Sequence, residues 1–135
     1  MLKRIRSRRG DFTINGAFIL VLVCALLALG ITVLGTALQS NKLSVMTADL
    51  VRYIELRGQA DAAVYTELQR LAENAGLEVS MDLEADYLPG TRRIQFGDAF
   101  TVTLSCQMEI GIGGVLAVPI TLTNTTSGRS EVYWK

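Results

Sequence analysis

The sequence predicts an α+β fold: a long N-terminal transmembrane helix that continues into an extracytoplasmic stalk, a second short helix, then an antiparallel β-meander packed on the helices. Three observations predict it. Residues Ala17 to Leu38 form a run of 22 residues without a charge. From Ser40 the pattern becomes amphipathic with a helical period. After Gly76 the period drops to two. The implied segments are a basic cytoplasmic leader (1–10), a transmembrane helix (11–39), a helical stalk with the second helix (40–76) and a β-sheet domain (77–135).

The uncharged run comes first because the rest follows from it. Roughly 20 mostly apolar residues span a bilayer, and this run is rich in Leu, Ile, Val and Phe on every side. The alternative is a buried helix of a soluble protein, which length and absence of charge disfavour. Lys3, Arg4, Arg6, Arg8 and Arg9 precede the run. An excess of Lys and Arg marks a cytoplasmic flank, so the N-terminus is expected inside and everything beyond Leu38 outside. A cleaved secretory signal fits less well. Its apolar region is about 7–15 residues, and Gly35-Thr36-Ala37 is a poor cleavage site inside a continuing helical pattern.

Charge is uneven. The first ten residues carry five positive charges and no negative ones; the other 125 carry eight positive and thirteen negative, a net of minus five. A basic end beside a membrane span reads as a topology signal. Nucleic acid is not expected as a partner, because phosphate binding calls for a basic patch. The lipid bilayer is.

In the stalk, Leu43, Met46, Leu50, Val51 and Ile54 recur at three- and four-residue steps, with Lys42, Asp49, Arg52 and Glu55 between them. That is one apolar stripe on a helix. No Pro or Gly interrupts it before Gly58, so a single rod is expected from about Phe12 to Arg57, on the order of 70 Å long. Gly58 is the expected stop. Asp61 is placed to start the next helix, whose apolar side is Val64, Leu68, Leu71, Ala72 and Ala75 and whose end is Gly76.

Leu77, Val79, Met81 and Leu83 then alternate with Glu78, Ser80, Asp82 and Glu84, the signature of a half-buried strand. Leu88-Pro89-Gly90 is a turn. A short strand is expected at 92–96. Next, Phe100, Val102, Leu104, Cys106, Met108, Ile110 and Ile112 face one way, and Thr101, Thr103, Ser105, Gln107 and Glu109 the other. Gly113-Gly114 reads as a hairpin turn. The return strand puts Leu116, Val118, Ile120 and Leu122 inward, with Pro119 confining it to an edge or a bulge. Ser127-Gly128 turns the chain into a last strand, 131–135. About five short strands with one apolar face need a second layer. The stripes of the two helices are what the chain offers.

Little here supports catalysis. There is no His. Cys24 lies in the membrane run and Cys106 on an apolar strand face, too far apart for a disulfide, and two cysteines without a histidine cannot build a zinc site. Asp82, Glu84 and Asp86 lack calcium-loop spacing and read as a solvated strand edge. Asn124-Thr125-Thr126 matches a glycosylation acceptor and reads as turn residues. An enzyme is not expected, and no cofactor or metal is called for.

A basic leader ending in Gly10, followed by a hydrophobic helix beginning Asp11-Phe12-Thr13-Ile14-Asn15, resembles the start of type IV pilin precursors, which read Gly-Phe-Thr-Leu-Ile-Glu and are cut after the Gly by a prepilin peptidase. Within that superfamily the chain looks similar to the TadE-like pseudopilins. More narrowly, it resembles an uncharacterised family of small pilin-like proteins of Gram-positive bacteria, often carried on conjugative elements. The narrower likeness rests on Arg9-Gly10, Leu50-Val51-Arg52, Gly58, Leu71-Ala72-Glu73 with Gly76, the segments 100–104 and 119–122, and above all Gly128-Arg129-Ser130-Glu131-Val132-Tyr133-Trp134-Lys135. The resemblance implies a structural component of a surface filament, or of a conjugation- or secretion-type apparatus, whose N-terminal helix bundles with other pilin-like subunits or envelope assembly proteins. It also implies processing at Gly10, with Asp11 and Asn15 standing where pilins carry Phe and Glu. The alternative is an uncleaved single-pass module whose sheet binds an envelope partner.

Overall fold

The computed structural model describes residues 9–112 and 116–135. Helix α1 runs unbroken from Arg9 to Arg57, 49 residues. Its outer half carries the predicted stripe, and Leu43, Met46, Leu50, Val51 and Ile54 are all buried. Thr47 is buried among them with its hydroxyl donating to the Leu43 carbonyl at 2.7 Å. That bond satisfies the hydroxyl inside its own helix, so a polar residue sits in the stripe without an unmet donor.

Gly58 stops α1. Its φ is +63°, a left-handed conformation that residues with a Cβ avoid, and its N–H closes on the Ile54 carbonyl at 2.7 Å. Helix α2 spans Ala62–Ala75, with Asp61 at its N-cap and Gly76 at its C-cap. Val64 and Leu68 are buried, while Leu71, Ala72 and Ala75 pack on the core edge.

The sheet has three strands, β1 (Val79–Ala85), β2 (Ala99–Ile112) and β3 (Leu116–Arg129), antiparallel in the order β1-β2-β3. Met81 faces Leu104, and Leu104 faces Asn124. Phe100, Val102, Leu104 and Cys106 join the stripes of both helices in one core. The sheet thus lies on the outer half of the rod and on α2, as expected from the need for a second layer. Outward, Thr101–Ser127 and Thr103–Thr125 are hydroxyl pairs across β2 and β3 at 3.1 and 3.0 Å.

Five local expectations are corrected. Residues 92–96 form no strand; Arg93 and Ile94 make single bridges to Gln59 and Tyr87. Ile94 is fully buried between two different partners, so no continuous ladder develops. Ser127-Gly128 is not a turn, and Asn124-Thr125-Thr126 lies within a strand: β3 continues through both to Arg129. The hydroxyl pairs to β2 favour the strand over local turn chemistry. Residues 131–135 are not a strand either. Finally, Leu116 and Val118 are exposed rather than inward, at 69% and 59%, because β3 outruns the core there. Pro119 does lie on an edge strand, opposite Glu109. The expected Gly113-Gly114 turn and the leader up to Arg8 lie outside the described residues.

Candidate functional site

Two features stand out as places where this chain meets something or holds itself together. The first is the inner part of α1. One helix among the described residues is long and apolar enough to cross a membrane, and none of its apolar window is buried within the chain. A core helix of a soluble protein would have that surface covered. Phe18, Val21, Leu26 and Leu34 are instead between 60% and 70% exposed. The chain is therefore a membrane-anchored protein with a small sheet domain at the C-terminal end of a single long apolar helix. Cys24 is exposed on this helix.

The proposed processing residues all fall in α1. Gly10 and Asp11 lie in its first turn and Asn15 one helical step on, exposed. They share one helix end, and the backbone there is continuous helix.

The second feature is a clasp at the far end of α1, built by the closing octapeptide. The Trp134 indole N–H donates to the Gly58 carbonyl at 3.0 Å. The same carbonyl accepts the Ile94 N–H at 2.7 Å. The Gln95 side chain accepts the Trp134 N–H at 2.9 Å and donates to the Trp134 carbonyl at 3.1 Å. The Arg93 guanidinium stacks over the Trp134 ring at 4.4 Å, a cation–π geometry. Buried Ser130 donates to the Ile94 carbonyl at 2.9 Å. On the other side, Arg52 bridges Glu55 and Glu131 at 3.2 and 2.6 Å, and the Glu131 N–H bonds the Glu55 carbonyl. Gly128 passes so close that a Cβ there would meet Val51 at 2.6 Å and Phe100 at 2.7 Å.

Beside the clasp, Arg57 pairs with Asp61 at 2.8 Å, and Gln59 donates to the same carboxylate at 2.7 Å. Burial alone would raise the Asp61 carboxyl; the hydrogen bond and charge of Arg57, with help from Gln59, outweigh it and hold the carboxyl below its ordinary value. A depressed carboxylate adds stability above its unfolded-state pKa and loses it as pH falls through the folded value. The contribution of this pair is therefore lost in acid. Asp61 starts α2 without a side-chain cap: Arg57 and Gln59 both bind its Oδ2, and Oδ1 is buried without a hydrogen-bond partner among the described residues.

The remaining candidates are quiet. Asp82 and Glu84 point outward on the edge strand β1, and Asp86 is exposed just beyond it. No group of three His, Cys, Asp or Glu is placed to hold a metal among the described residues. Cys106 is buried, and burial pushes its thiol pKa up, as for a small packed hydrophobe.

The family model described as a domain of unknown function (DUF4320) matches residues 19–135. The chain belongs to the DUF4320 family. The matched range starts within the apolar helix and runs through Lys135. The shared DUF4320 unit therefore includes most of the anchor, the sheet and the whole clasp, while Gly10, Asp11 and Asn15 fall before it. No curated protein and no solved structure matches the chain.

Proposed function

We propose that this DUF4320 protein is a pilin-like structural component of a surface filament or of a conjugation- or secretion-type envelope apparatus, with its N-terminus cytoplasmic and its sheet domain extracytoplasmic. One observation carries the reading: a single 49-residue helix whose apolar half is bare and whose other half is gripped by a sheet that ends in a clasp. A bare helix of that length leaves its surface open to pack against copies of itself or relatives, and the clasped domain would then form the outer surface of the assembly. The basic residues before Gly10 support the orientation. A membrane-impermeant thiol reagent should label a cysteine at Ser127 in intact cells lacking an outer barrier, and leave one at Ser7 unlabelled. The reverse pattern overturns the orientation.

Processing is the sharper test. Cutting after Gly10 removes all five leader charges and leaves the amine of Asp11 at the membrane surface. Asp11 and Asn15, one helical step apart, then stand in for the glutamate of pilins. The Asp11 carboxylate also suits a helix N-terminus through the dipole. Intact mass of the protein from its native host should match a chain beginning at Asp11. A mass beginning at Met1, in cells that process other prepilins, overturns the filament mechanism. The second reading, an uncleaved anchored binding module, is favoured by one feature: Asn15 can accept a hydrogen bond but cannot neutralise a neighbouring subunit's amine.

A further inference from the structure

We infer that the membrane-proximal end of the β2–β3 ribbon, residues 110–112 and 116–120, is a second membrane contact, seated in the interfacial layer of the leaflet that α1 leaves on its way to the sheet domain. The inference rests on the reading of α1 as a membrane anchor. Beyond Cys106, which faces Leu122, β2 no longer pairs with β1, and the two strands continue as a bare ribbon toward Ile112 and Leu116. Residues 110–112 and 116–120 contain no polar side chain, and no charge occurs between Glu109 and Arg129. Leu116 and Val118 are 69% and 59% exposed.

The ribbon does not project into solvent. Ile110 and Leu122 share an apolar groove of about 370 Å³ with Leu29, Val33, Thr36 and Ala37 of α1. Ile110 therefore reaches the level of helix residues well inside the uncharged run. Leu29 lies nine residues below Leu38, about 14 Å along the axis. The other side of α1 at this height is also bare and apolar: Ile31, Leu34 and Leu38 are more than half exposed. One non-aqueous layer would cover both surfaces at once.

Helix length decides how deep the ribbon sits. Phe12 to Leu38 is 27 residues, about 40 Å, against a hydrocarbon core of about 30 Å. Fitting all of it into hydrocarbon needs a tilt of about 40°, the limit of what is seen. Placing hydrocarbon over Phe12–Ile31 instead uses 20 residues and brings residues 32–38 through the interface beside the ribbon. The ribbon's open edges carry unpaired backbone groups, which hydrocarbon does not tolerate. The headgroup and acyl boundary accepts apolar side chains to a depth of about 5–10 Å while still solvating such groups. Two contacts instead of one would fix how the sheet domain stands on the membrane.

The test uses the full chain with Cys24→Ser, at one copy per lipid nanodisc, carrying an environment-sensitive fluorophore on Val118→Cys; Leu116→Cys serves as a second site. Buried Cys106 stays unreacted in the folded protein. Val23→Cys marks the span and Thr125→Cys the solvated part of β3. The probe at Val118 should be blue-shifted, quenched by lipids bearing a nitroxide near the headgroup, and shielded from aqueous iodide that reaches Thr125. Iodide access at both ribbon sites equal to that at Thr125, with Val23 still quenched by lipid, overturns the contact and leaves the anchor standing. Shielding from both lipid and iodide places protein over the ribbon and also overturns it. Iodide access at Val23 removes the anchor, and the contact with it.

Discussion

Replacing Leu104 by Asp is expected to unfold the sheet domain. Leu104 is fully buried at the centre of β2, between Met81 on β1 and Asn124 on β3, in the core that joins the sheet to both helices. The substitution removes a packed side chain and leaves a carboxylate with no cation in reach, or forces it to bind a proton. Together these cost on the order of 5 kcal/mol or more, a large share of the roughly 5–15 kcal/mol that holds a typical domain folded. The adjacent position is the control. Thr103 points outward, paired to Thr125 and opposite Asp82. Thr103→Asp is expected to fold, although it sets two carboxylates across from one another and loses a few tenths of a kcal/mol. Thr103→Lys avoids that repulsion and should be close to neutral. Denaturant titration in detergent, followed by circular dichroism, measures all three. Equal losses at positions 103 and 104 would contradict the register.

What could be read in advance, and what could not, divides along physical lines. The stripe Leu43–Ile54 and the alternation Phe100–Cys106 were legible because each repeats the period of its own backbone, and a repeated period needs no knowledge of the partner. Their meeting was legible too, since an apolar sheet face must be covered. Leu116 and Val118 alternate just as cleanly yet are exposed, because alternation shows which face a side chain shares and not how far the covering layer extends. Residues 92–96 carry strand composition but lie between the Gly58 loop and Tyr87, which offer single bridges. The clasp left no local signal at all. Gly58 and Trp134 are 76 residues apart, and the sequence singles out the closing octapeptide only for its family resemblance, not for any contact. The inner end of α1 was legible for the plainest reason: lipid replaces the partner that a soluble helix would have needed.

Gly58→Ala is expected to spring the clasp and destabilise the domain by on the order of 2–5 kcal/mol. Two costs add. The first is backbone strain, since alanine must adopt a φ of +63°. The second is space, since the new Cβ would lie 2.6 Å from the Val132 Cβ and 3.1 Å from the Trp134 indole nitrogen. The closing segment must move, and with it go the indole bond to the Gly58 carbonyl, the Arg93 stack and the exchange with Gln95. Gly90→Ala separates the two costs. Its φ is +73° and nothing lies within 4 Å of its Cβ, so it bears the strain alone, about 1–2 kcal/mol. Trp134 is the chain's single tryptophan, which makes its emission a local reporter. In Gly58→Ala it should shift to the red before the helix signal is lost, whereas in Gly90→Ala the two should change together. Trimming the neighbour, in Gly58→Ala with Val132→Ala, should recover part of the loss because the clash is relieved while the strain stays. If Gly58→Ala proves no worse than Gly90→Ala, then the close approach of the octapeptide to the end of α1 is not what holds that end of the domain shut.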